Sequence, residues 1–117
     1  MIGRRSHPRV KASHAVLYLS EIYSGPRVAS TLDFSSGTVR VETPYSLTNG
    51  EKVELSIAIH PQVIECKGHV VETLWPDEDR LKVRVQFQEI RTQDRLYLQE
   101  QISRLMEKQR KWIHGSA

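Results

Sequence analysis

The sequence predicts an all-β domain with a C-terminal α-helix: six short strands close into a barrel or sandwich, and the helix follows them. Three observations predict it. Between residues 14 and 90 apolar residues recur at alternate positions, with turn signals between the runs and no long segment of helical period. From Thr92 the spacing changes to three and four. A chain of 117 residues supports one domain with a single modest core, so strands with one apolar face each must close on one another to keep that face dry.

The elements follow in order. His14 to Leu19 is a first apolar run, ended by Ser24-Gly25-Pro26, and Arg27 to Leu32 is a second. Asp33-Phe34-Ser35-Ser36-Gly37 reads as a turn, since Asp and Ser bond to local backbone and glycine tolerates positive φ or close approach. Gly37 to Glu42 alternates, with Val39 and Val41 on one face and Arg40 and Glu42 on the other, until Pro44 ends it. Asn49-Gly50 is a strong turn signal, after which Val53, Leu55, Ile57 and Ile59 alternate with polar or small residues. His60-Pro61 breaks the chain, and Val63 to Trp75 is a long strand in which Gly68 marks a bend or bulge. Pro76 to Asp79 is a polar turn. Leu81, Val83, Val85 and Phe87 then give the clearest period-two signal in the chain. Thr92 opens a helix with Asp94 in its first turn, and Leu98, Ile102, Leu105 and Met106 form a stripe that packs against the barrel or closes one end. The resulting division is a flexible basic arm over 1–13, the β-barrel over 14–91, the helix over 92–113 and a frayed tail over 114–117.

Composition narrows the function. Hydrophobic residues make up 38% and charged residues 26%, an ordinary globular balance. No apolar run approaches the roughly 20 residues of a membrane helix, so the expectation is a cytoplasmic protein without membrane insertion. Cys66, the sole cysteine, excludes an internal disulfide and sits in an apolar strand as a small core residue. The five histidines show no zinc-like spacing, Ser35 and Ser36 lack a nucleophile-elbow pattern, and no phosphate-cradling glycine loop is present. An enzyme is therefore not expected, nor a metal or cofactor.

Charge is unevenly placed. Net charge is +3, yet the first twenty residues hold Arg4, Arg5, Arg9 and Lys11 with no acid, leaving 13 of the 17 bases against all 14 acids. A local anion site fits this pattern better than a broad face for nucleic-acid polymer. Guanidinium groups can bridge the O6/N7 edge of guanine, pair bidentately with phosphate, or stack on a base. Pro8 keeps His7 out of the helical region, so the segment from Arg5 to Arg9 is expected to be extended. Asp33 and Ser35 offer an acceptor and a donor-acceptor for a base edge or phosphate, and the small Gly37 leaves the surface open.

Arg5-xxx-Arg9 ahead of the first strand and Asp33-x-Ser35 after the second resemble the PilZ domain family, bacterial receptors for cyclic di-GMP. The resemblance extends to Gly68-His69-Val70-Val71, to Val83-Arg84-Val85-Gln86-Phe87 and to the terminal helix, and so covers nearly the whole chain. It implies a six-stranded antiparallel β-barrel followed by a helix. It also implies that Arg5 and Arg9, with Arg4 beside them, bind phosphate and guanine while Asp33, Ser35, Gly37 and Thr38 line the other side of the ligand. Two positions depart from the family pattern. The place three residues after the serine, usually glycine, is Thr38, with the glycine one earlier at Gly37, and Arg84 stands where the family often has glycine.

The resemblance thus implies a receptor whose arm closes over cyclic di-GMP and presents a changed surface to an effector protein, as a monomer or weak dimer. A ligand-independent interaction adaptor is the alternative that Thr38 keeps open. A single-strand nucleic-acid binder would need exposed aromatics near the basic residues, and Tyr18, Tyr23, Tyr45, Trp75 and Trp112 do not cluster with the arm in sequence.

Overall fold

The computed structural model describes residues 9–74 and 80–115, with side chains up to Arg110. It holds seven strands and one helix: β1 (Val10–Lys11), β2 (Ala15–Ser20), β3 (Arg27–Phe34), β4 (Thr38–Thr43), β5 (Lys52–Ile59), β6 (Gln62–Leu74), β7 (Leu81–Ile90) and α1 (Thr92–Gly115). The expected turn at Pro76–Asp79, and Trp75 at the expected end of β6, lie outside the described residues. All pairings are antiparallel, and β2, β3, β4, β7, β6 and β5 close a six-membered ring. The all-β barrel with one C-terminal helix is therefore as the sequence predicts.

β1 is the addition. It pairs with the end of β3 (Val10 with Phe34, Lys11 with Asp33) along the same edge that β2 uses further back (Ala15 with Ser30). β1 and β2 are thus two pieces of one strand, parted at residues 12–14. The buried hydroxyl of Thr31 fills the break, donating to the Ala12 carbonyl and accepting from the His14 amide at 2.8 Å. One side chain thus answers two backbone groups at the interruption. Order therefore begins earlier than the arm expected over 1–13, and Val10 is fully buried. A lone valine between Arg9 and Lys11 carries no periodic signal.

The core is the inward set of alternating positions: Val16 and Tyr18, Val39 and Val41, Val53 to Ile59 on β5, Ile64, Cys66 and Val70, and Leu81 to Phe87. Tyr18, buried rather than available for stacking, shares a hydrogen bond with Thr43 Oγ1 at 3.1 Å. Burial also pushes the Cys66 thiol up to about 12, so the group stays protonated and inert.

α1 closes the barrel end that carries the β3–β4 and β5–β6 hairpins. Leu98 and Ile102 are buried, with Leu105 and Met106 partly so, which accounts for the predicted stripe. Polar bonds fix its position. Tyr97 donates to the Ile59 carbonyl at 2.9 Å, and buried Asp94 accepts from the Glu65 amide at 3.3 Å. The helix runs through Gly115, two residues past the expected end.

Gly50 adopts φ +90°, the left-handed conformation that the Asn49-Gly50 signal implies. Gly68 serves differently, at a register shift between β6 and β7, where an added Cβ would sit 2.3 Å from the Gln86 carbonyl oxygen. The atom it would meet is backbone of β7, which cannot swing away as a side-chain end can. Gly68→Ala is expected to lose about 1–3 kcal/mol of stability, measurable as a lower denaturation midpoint with an unchanged slope.

Candidate functional site

A bulge on β3 builds the site. Ala29 and Thr31 point inward, and strict alternation would send residue 33 inward as well. The register shift between Thr31 and Asp33 resets the pattern, so that Phe34 enters the core and Asp33 turns to the outer face opposite Arg40. Asp33 is therefore a strand residue, not the turn residue expected, and the turn proper is Ser35 to Gly37. The extra residue hides this continuation from any period-two reading.

Two arginines converge on the Asp33 carboxylate. Arg9 Nε donates to Oδ1 at 2.8 Å, and its Nη2 lies 2.6 Å from the same oxygen. Arg40 donates through Nε and Nη2 to Oδ2 at 2.9 and 2.7 Å. The Asp33 side chain is only 9% exposed, so its charge is retained because both oxygens are matched. Burial pushes this carboxyl up, but the hydrogen bonds and charges of Arg40 and Arg9 outweigh it and hold the group below the usual carboxylate value.

The remaining Arg9 nitrogen, Nη1, donates to Thr38 Oγ1 and reaches Ser35 Oγ at 3.5 Å. Ser35 is buried, and its hydroxyl mainly closes its own turn, accepting the Gly37 and Thr38 amides at 3.2 Å each. Gly37 contributes backbone: its carbonyl accepts the Phe87 amide at 3.0 Å. Thr38, which stands at the usual glycine position, accepts from Arg9 through its hydroxyl. Arg9, Asp33, Ser35, Gly37 and Thr38 thus come together, whereas Arg4 and Arg5 lie outside the described residues.

Sequence reasoning missed Arg40. Its outward direction was legible from the alternation of β4, but its pairing with Asp33 depends on the bulge. The site is also tied to α1: Arg95 Nη1 donates to the Ser36 carbonyl at 3.0 Å, and Gln109 Nε2 donates to that of Lys11 at 3.2 Å. Aromatics do not join it. Tyr23 and Tyr45 flank the Arg27 guanidinium at 4.3 and 4.4 Å, at the opposite end of the barrel. Among the described residues no helix is long and apolar enough to cross a membrane, and no three metal-ligating side chains gather.

Because folding lowers the Asp33 pKa, its stabilisation is fully present above the unfolded-state value of about 3.9 and is lost as pH falls through the lower folded-state value. Asp33→Asn is expected to cost roughly 1.5–3 kcal/mol at neutral pH. Denaturant titrations at a series of pH values should show the gap from wild type narrowing as the solution is acidified below about pH 4.

A family model described as the PilZ domain matches residues 3–107. No match was found among curated proteins. Among solved structures, the Bacillus subtilis inhibitor of motility, MotI/DgrA, superposes with a TM-score of 0.79 at 22% identity, over 92% of this chain and 53% of that one. The PilZ domain of Escherichia coli YcgR, solved with c-di-GMP, gives 0.72 at 13% identity, over 94% and 97%. The K. pneumonia MrkH complex with c-di-GMP gives 0.75 at 14%, over 94% and 55%. The chain therefore spans about half the length of MotI and MrkH, and at these identities the likeness concerns the fold. PilZ domains are non-catalytic, in keeping with the sequence. With a family model spanning the barrel and much of the helix, and with Arg9 just before β1 bonded to Asp33 at the end of β3 and to Ser35 in the turn that follows, the chain belongs to the PilZ domain family.

Proposed function

We propose that this chain is a cyclic di-GMP receptor that passes the bound state to an effector protein. The observation that carries the reading is the convergence of Arg9, Asp33, Ser35 and Thr38 on one patch of the outer face, from segments 24 to 29 residues apart. Cyclic di-GMP combines two guanines with two phosphodiesters. Arg9, aided by Arg4 and Arg5, would pair with phosphate or the guanine O6/N7 edge. Asp33 and Ser35 would take the ligand's opposite side, with Gly37 and Thr38 bounding it.

In the described state Arg9 and Arg40 are already engaged by Asp33, so the ligand must offer each guanidinium more than the carboxylate does. Binding is then an exchange of partners, and closure is favoured only by contacts made in the closed form. Arg95 on Ser36 and Gln109 on Lys11 give α1 a direct bond to each half of the site, which supports the helix as the element an effector reads. The receptor would act in the cytoplasm, as a monomer or weak dimer.

A second reading, a ligand-independent adaptor, draws support from Thr38. Its hydroxyl at the usual glycine position holds Arg9 Nη1 and helps to close the patch on itself.

Calorimetric titration separates the two. Wild type should bind cyclic di-GMP and not GTP, while Arg9→Ala and Arg5→Ala should each lose about 1–3 kcal/mol of binding free energy. Full affinity in both variants would refute the role of the arm, and absence of binding by wild type would favour the adaptor.

A further inference from the structure

A second basic feature adjoins the motif residues. Strand register sets four charged residues in one row across the outer face: Asp33 on β3 opposite Arg40 on β4, Arg40 opposite Arg84 on β7, and Arg84 opposite Glu72 on β6. All four share a face, because they are register partners and Val39, Val41, Val83 and Val85 beside the two arginines point inward. At about 4.8 Å per strand step the row from Asp33 to Arg84 spans roughly 10 Å.

Its centre is unfavourable as it stands. Like charges directly opposite on a sheet face repel, and here two guanidinium groups occupy adjacent strands. Each turns to a carboxylate at its own end of the row, Arg40 to Asp33 at 2.7 Å and Arg84 to Glu72 at 3.5 Å. The two holds differ in strength. Arg40 is bound twice to a buried oxygen, whereas Arg84 makes one long contact with a carboxylate that is 60% exposed. Arg9 also draws on Asp33, so three guanidinium groups face two carboxylates and the row carries a surplus positive charge.

We propose that Arg40 and Arg84 form a phosphate-holding pair that extends the ligand site across β4 onto β7. An anion seated between them would turn the repulsion into attraction, and guanidinium forks suit the paired oxygens of a phosphodiester. The ligand would then lie along the row, with Arg9 and Asp33 at one end and Arg84 at the other. The inference rests on the receptor reading, since the phosphodiester is one of those in cyclic di-GMP. It gives Arg84, a departure from the family pattern, a direct contact with ligand, and it makes Glu72 a competitor for that contact.

The test is cyclic di-GMP titration of the full chain as wild type, Arg9→Ala, Arg84→Ala, Arg84→Lys and Glu72→Gln, with thermal melting of each. Arg84→Ala should weaken binding about tenfold or more, and Arg84→Lys should recover part of that loss because charge returns without the fork. Glu72→Gln should tighten binding by up to about fivefold, the scale of an exposed ion pair, a gain that impaired folding cannot imitate. Arg84→Ala binding like wild type while Arg9→Ala is impaired would overturn the pair and leave the receptor reading intact. Loss in Arg84→Ala that merely follows a lowered melting temperature, with no gain in Glu72→Gln, would also overturn it. Failure of wild type to bind would overturn both readings.

Discussion

One carboxylate organises this end of the molecule. Asp33 is nearly sealed from water, and a charge so placed persists only while its oxygens are matched. Arg9 approaches from the chain leading into β1 and Arg40 from the neighbouring strand, each taking one oxygen. Removing either leaves a buried charge half-answered, so the start of the barrel, its second long strand and its third are held by the same group. The motif residues are therefore structural as well as chemical: the side chains that would meet a ligand are those that keep the site assembled without one.

The bulge makes this possible. Had β3 continued its alternation, Asp33 would face a core of valine, leucine and isoleucine, and the chain would not tolerate it. By inserting one extra residue, the strand delivers Phe34 to the interior and the carboxylate to the outside, where arginines can reach it. Thr31 serves the opposite edge of the same stretch, linking β1 to β2 through its hydroxyl. Two irregularities side by side, a bulge and a strand break, turn regular barrel wall into the patch where these charged residues meet.

Much of this was legible in the sequence. The strict alternation of β5 and β7 gave their inward faces residue by residue, Asn49-Gly50 and Gly68 marked the places where backbone departs from the regular strand, and the stripe from Leu98 gave the helix and its buried side. What escaped reading was non-periodic. Val10 stands alone among charged residues, so nothing local announces that β3 receives it. Arg40 looked like any outward strand residue, because its partner is defined by a register that only the folded chain supplies. The Arg9, Asp33 and Ser35 grouping was readable as a motif, but the bonds of Asp33 to Arg40 and of Arg9 to Thr38 are a property of three dimensions.

The burial of Val10 sets a boundary on what precedes it. With that residue paired beside Phe34 on β3, the chain upstream of it starts from a fixed point. Four residues at full extension reach at most about 14 Å, so whatever shape the first eight residues take, the Cα of Arg5 stays within that radius of Arg9. A guanidinium on so short a connection would act at high effective concentration in the proposed site. In the proposed receptor, a ligand held by the barrel would therefore find its next arginine within the same molecule.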